Sequence, residues 1–151
     1  MAKHPTDPSA IWTKAPPPTF EHAIVRDAMR PGLIEAHPWM NMQSVARMMA
    51  SYHVHSVVVS AAGDSGQVRP WGIVTDIDVV RNAAEPLDRQ AGECITTELV
   101  TVGQDEPLER AAKLMDEHEV THLIVVDRER DQPVGVVSTL DIARVVGYGL
   151  V

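Results

Sequence analysis

Apolar residues recur along this chain in two periods, and the same succession of periods is written twice. Met42, Val45, Ala46 and Met49 follow the i, i+3, i+4, i+7 spacing of one helix face, and Leu108, Ala111, Ala112 and Met115 repeat it. Pro107 stands just before the second set, where a proline removes no intrahelical hydrogen bond. Each helical stretch gives way to a β-branched run, Val54 to Val59 or Val120 to Val126, with the length and composition of a buried strand. A polar turn follows, Ala62 to Gly66 or Asp127 to Asp131. Then comes a glycine-led strand running into a second helix, GIVTDIDVVR at residues 72–81 and GVVSTLDIAR at residues 135–144. Upstream, Leu33-Ile34 and Leu99-Val100-Thr101-Val102 predict a short leading strand in each half.

The unit is therefore β-α-β-β-α, present twice. The first helices stand 66 residues apart (42 to 108) and the glycine-led strands 63 (72 to 135), so the first polar turn is three residues longer, as a surface loop tolerates. A unit with one apolar sheet face and two apolar helix faces buries them only against its sister. This predicts an α+β fold in which two repeats, residues 19–86 and 87–151, pack with pseudo-twofold symmetry, joined by the connector at residues 85–94. Residues 1–18 carry Pro5, Pro8, Pro16, Pro17 and Pro18 among small polar residues and read as a disordered, proline-rich arm. Trp12 within it is either a docking residue or merely exposed.

Composition narrows the function. With 13 Lys and Arg against 21 Asp and Glu the net charge is −8, which repels a phosphate backbone, and no basic cluster offsets it. Nucleic acid is not an expected partner. Cys94 is the one cysteine, so neither an internal disulfide nor a multi-cysteine zinc site forms, in keeping with a reducing compartment. No apolar run approaches the ~18 residues of a spanning helix, and a cytoplasmic protein without membrane contact is expected. No G-x-S-x-G, H-E-x-x-H or G-x-x-x-x-G-K-[ST] pattern is present, so the chain is not expected to be an enzyme.

The order of elements, with G-hydrophobic-hydrophobic-[ST]-x-x-D at the strand-to-helix corner of both halves, resembles the cystathionine β-synthase (CBS) domain, and the two copies resemble a stand-alone tandem CBS pair over about residues 22–148. The resemblance implies a regulatory module that binds adenosine-containing ligands in clefts between the repeats and forms homodimers. It places ribose and phosphate contacts at Thr75 and Asp78 in the first half and at Ser138 and Asp141 in the second. Basic residues near the phosphate correspond to Arg81 and Arg144. The expected ligand is an adenine nucleotide, AMP, ADP or ATP, with or without magnesium, and no other cofactor is required. Any effector protein is expected to act in trans. The chain departs from the family pattern at Val58 and Ile124, where a proline is usual, and at Ala36-His37-Pro38-Trp39, which interrupts the first leading strand.

The same corners admit a ligand-free explanation. A hydroxyl at the N-cap with an acid three residues on is a capping box, whose function is purely structural. Three chemical features favour ligand binding. The capping box prefers Glu or Gln, yet both copies carry Asp; a helix N-terminus suits a phosphate; and a carboxylate accepts from two vicinal hydroxyls. Guanidinium groups at Arg81 and Arg144 match phosphate in a two-pronged way, or lie on a solvated helix face. With few aromatic residues, a base would rest on aliphatic walls such as Ile34, Val100 and the Val-rich strands. His55 and His122, at the entrances of those strands, stand within reach of a base or sugar edge. Two further readings follow: a homodimerisation scaffold with empty clefts, and a metal-responsive protein using His53 and His55.

Overall fold

The computed structural model describes residues 18–63, 66–86 and 88–150. The proposed arm falls almost wholly on residues 1–17, and with Trp12 it lies outside them. The elements in chain order are α1 (Pro18–His22), α2 (Val25–Ala28), β1 (Arg30–Pro31), β2 (Glu35–Ala36), α3 (Met42–Tyr52), β3 (Ser56–Ala62), β4 (Val68–Thr75), α4 (Asp76–Asn82), a 3-10 turn at Ala91–Glu93, β5 (Thr101–Gly103), α5 (Leu108–His118), β6 (His122–Asp127), β7 (Gln132–Ser138) and α6 (Thr139–Tyr148).

Two sheets carry the repeats, one in the order β2-β3-β4 and the other β1-β7-β6-β5. In each, the leading strand runs parallel to the Val-rich strand and the glycine-led strand runs antiparallel to it. The α+β class and the doubled unit are as predicted. The first leading strand is displaced: it pairs at Glu35–Ala36, just after Leu33 and Ile34. Ile34 still contributes its carbonyl, which accepts from Val58 N at 2.9 Å, as Val100 O accepts from Ile124 N at 3.1 Å.

The helices form where the apolar spacing put them. α3 buries Met42, Val45 and Met49, and α5 buries Leu108, Ala111, Leu114 and Met115. Asn41 Oδ1 caps α3 by accepting from Ser44 N at 2.8 Å, and both helices end on a non-glycine residue in the left-handed region, His53 and Glu119, each with φ 53. Because His53 is a helix cap, it does not alternate with His55 along a strand.

The segment before each repeat packs on the other repeat. Ala23 and Val25 belong to the core built on α5, β6 and β7, while Ala91 and Cys94 belong to the core built on α3, β3 and β4. The bridges Ile24 to Pro107 and Asn41 to Gln90 are equivalent contacts under the 66-residue repeat. A third cluster, Val58, Ile73 and Ile124 with Leu33, Leu99 and Val136 against it, joins the two sheets. Those three side chains are at most 2% exposed, and burying each contributes about 1.5–3 kcal/mol.

The two sheets differ at β1. β1 adds to the second sheet through Arg30↔Val136 and Pro31↔Gly135, whereas the corresponding residues 96–97 form no strand. Gly135 permits this approach, since a Cβ there would collide with the Arg30 carbonyl.

Candidate functional site

The glycine-led strands β4 and β7 end at Thr75 and Ser138, where the chain turns from extended backbone into α4 and α6. At both corners the acid three residues on satisfies the cap. Asp78 Oδ2 accepts from Thr75 N at 2.9 Å and from Thr75 Oγ1 at 3.1 Å; Asp141 Oδ2 accepts from Ser138 N at 2.8 Å and from Ser138 Oγ at 2.9 Å. Aspartate therefore reaches the cap that the capping box usually assigns to Glu or Gln. This service occupies one carboxylate oxygen and leaves the other to be accounted for.

The second oxygens differ. Asp78 Oδ1 accepts from Thr96 Oγ1 at 2.6 Å, and the Asp78 side chain is 0% exposed. Asn82 Nδ2 donates to the Asp78 carbonyl at 2.7 Å and its Oδ1 accepts from Arg89 Nη1 at 2.8 Å, so the surroundings are hydrogen-bonded in turn. Asp141 Oδ1 accepts no hydrogen bond from the described residues; Arg144 Nη1 lies 3.7 Å away, and the side chain is 14% exposed.

Asp141 opens on a cleft of about 200 Å³ at the junction of the repeats. Of the residues singled out in the sequence, it gathers Ile34, His55, His122, Ser138, Asp141 and Arg144. Thr75, Asp78, Arg81 and Val100 do not line it. Thr75 is 4% exposed, Val100 sits in the core of the second repeat, and Arg81 is exposed with Nη1 3.8 Å from Asp78 Oδ1. The walls are aliphatic: Leu33 and Ile34, Val54 and Val58 on one side, Val136 and Leu140 on the other.

Sequence reasoning missed Arg30, which reaches the cleft because β1 lies beside β7. The available signal was the 66-residue repeat, which sets Arg30 against Thr96. Arg30 and Arg144 give the cleft two guanidinium groups to the single carboxylate of Asp141. The cleft therefore suits an anion, although the chain as a whole carries net charge −8.

Both imidazoles are fixed by neighbours. His55 Nδ1 lies 2.8 Å from Asp76 Oδ2, and His122 Nδ1 lies 2.9 Å from Thr121 Oγ1. Burial pushes the His122 pKa below its ordinary value of 6.5; His55 and Arg30 act in the same direction, against the opposing carboxylates of Asp76 and Asp141. His122 is neutral at pH 7 and contributes a hydrogen-bonding ring without charge. Among the described residues no group of three or more His, Cys, Asp or Glu is arranged to hold a metal ion, and no helix is long and apolar enough to cross a membrane.

Comparison with known proteins agrees with this architecture. The chain is 31% identical over 128 residues to a homoserine O-acetyltransferase of Methanohalobium evestigatum, covering 84% of this chain but spanning only a quarter of that relative's length. It is 30% identical over 122 residues to the CBS domain-containing protein YhcV of Bacillus subtilis, covering 79% of this chain and 82% of YhcV. Among solved structures, the CBS domain protein PAE2072 from Pyrobaculum aerophilum, complexed with AMP, superposes with a TM-score of 0.69 at 26% identity, over 79% of this chain and 89% of that one. The CBS domain profile matches residues 25–85 and again 91–148. Two matches in tandem, on the two halves that the fold displays, place this chain in the CBS domain family as a CBS domain pair.

Proposed function

We propose that the protein is a regulatory module that binds an adenine nucleotide in the cleft at Ser138 and Asp141. The observation that carries this reading is the Oδ1 of Asp141, which accepts no hydrogen bond from the described residues and has only the Arg144 guanidinium 3.7 Å away, on a carboxylate anchored at the helix corner and lining an aliphatic cleft that also holds Arg30 and Arg144. Asp141 Oδ1 accepts the ribose hydroxyls, the guanidinium groups take the phosphate with the Ser138 hydroxyl once it turns from Asp141 Oδ2, and Leu33, Ile34, Val54 and Val136 sandwich the base. His55 and His122 stand at the sugar edge. The AMP complex of PAE2072, a relative of the same fold, supports the ligand class. AMP fits two guanidiniums best; ADP or ATP would bring magnesium to offset the added charge.

The protein acts without catalysis of its own. The ligand ties residues of both repeats together and shifts the population of a homodimer or of a complex with an effector in trans, by no more than its differential affinity allows. Exposed Ile77 and Val80 on α4, with Leu140, Val146 and Tyr148 on α6, support self-association. A thermal-shift screen with AMP, ADP, ATP, S-adenosylmethionine and NAD tests the reading. A stabilisation by an adenine nucleotide that disappears in Asp141→Ala is expected. No stabilisation by any of the five would leave the scaffold reading, in which the corners act only as caps.

A further inference from the structure

We propose that the pair carries one ligand site per chain, and that its counterpart at Thr75 and Asp78 is a closed structural corner locked by the hydroxyl of Thr96. The inference rests on the nucleotide reading for what fills the open site; the closure stands on geometry alone. The two corners begin alike, each acid giving Oδ2 to the cap. They part at Oδ1. In the first repeat Thr96 Oγ1 donates to it at 2.6 Å and the carboxylate is fully buried, whereas in the second no described residue donates to it. A ribose diol approaching Asp78 must break the Thr96 bond and open a corner that Asn82 and Arg89 brace from behind.

The cause is a local change of backbone. Residue 96 corresponds to residue 30 under the repeat. Around residue 30 the chain extends as β1 beside β7, in contact with Gly135, and carries the Arg30 side chain into the cleft. The corresponding glycine, Gly72, meets the Ile95 side chain at 2.7 Å from an added Cβ, in place of a paired strand, and the chain there turns Thr96 onto the acid. A short hydroxyl replaces a long cation, and the carboxylate is covered instead of flanked. Position 96 thus decides which half of a symmetric fold is available to ligand.

Carbodiimide footprinting of carboxyl groups, read by peptide mass spectrometry on the full chain, tests the closure without any ligand. Asp141 is expected to react and Asp78 to react roughly tenfold more slowly or less, because its reaction must wait for local opening. Comparable labelling of the two overturns the proposal. Thr96→Gly is expected to expose Asp78 to the reagent, while Thr96→Ser, which keeps the hydroxyl, preserves its protection; equal behaviour of the two variants contradicts the role given to position 96. Repeating the measurement with AMP separates this inference from the one beneath it. Protection of Asp141 with one AMP bound per chain by calorimetry supports both, and two AMP bound per chain refutes single occupancy. Asp141 labelled as fast with AMP as without it removes the nucleotide reading, while slow labelling of Asp78 still upholds the closed corner.

Discussion

Replacing Asp78 by alanine is predicted to cost far more stability than replacing Asp141, although the two residues occupy equivalent corners. Asp78 accepts three hydrogen bonds, from Thr75 N, Thr75 Oγ1 and Thr96 Oγ1, in a site with no solvent exposure. Alanine there leaves a buried amide and the buried Thr75 hydroxyl without an acceptor, each unmade bond costing about 1–3 kcal/mol, while the hydroxyl of Thr96, an exposed residue, turns to water. Relaxation and the Thr75 hydroxyl's freedom to rotate reduce the sum, so the expected loss is about 2–4 kcal/mol. Asp141 accepts only from its own cap and is reached by water, so its loss lies within the ordinary N-cap range of about 0.5–2 kcal/mol. Urea unfolding followed by far-UV circular dichroism measures both variants against the parent, and thermal melts should show Asp78→Ala lower by roughly 5–10 °C. Equal losses in the two variants, or a larger one at Asp141, would refute the claim that the first corner is a buried structural lock and the second an open one.

Further outcomes follow from other features. Gly135→Ala puts a methyl group onto the Arg30 carbonyl and should lower stability by about 1–3 kcal/mol, whereas Gly147→Ala, in open space on α6, should raise it by roughly 0.5 kcal/mol; urea midpoints that move together would contradict this packing. The folded His122 has its pKa held below 6.5 by burial, so between that value and the lower folded one the unfolded chain binds more protons, and stability falls as pH falls while remaining whole above 6.5. Comparing the parent with His122→Gln from pH 7 to pH 5 should show the steeper decline in the parent, and parallel curves would remove this account of His122. Cys94 is 2% exposed with its thiol pushed upward by burial, so Ellman's reagent should label it only on unfolding; prompt labelling of the native protein would show that the core around Ala91 and Cys94 is open.

The fold was readable because helix spacing at Met42 to Met49 and Leu108 to Met115, and the β-branched runs after them, each match a single kind of element. The glycine-led corners were readable for the same reason. Harder to see was the exchange of the flanking segments: Ala23, between two short helices, and Val25, in a helix of four residues, carry no periodic signal, and their core is formed by residues roughly 75 to 120 positions onward. The open site was legible in part. Ile34, His55, His122, Ser138, Asp141 and Arg144 converge as residue type and repeat position suggested. Arg30 was not legible, because its place depends on a strand pairing two residues long, and the covering of Asp78 was not legible because Thr96 lies 18 residues away, just past the connector, in a stretch without periodic pattern.

The cleft between Ile34 and Asp141 is expected to receive an adenine nucleotide. A crystal structure of the full chain grown with AMP measures this most directly. The ribose hydroxyls should lie within hydrogen-bond distance of Asp141 Oδ1 and the phosphate against Arg30 or Arg144, with the Thr96 to Asp78 bond intact. AMP bound at Asp78 instead, or a cleft empty at saturating nucleotide, would contradict it.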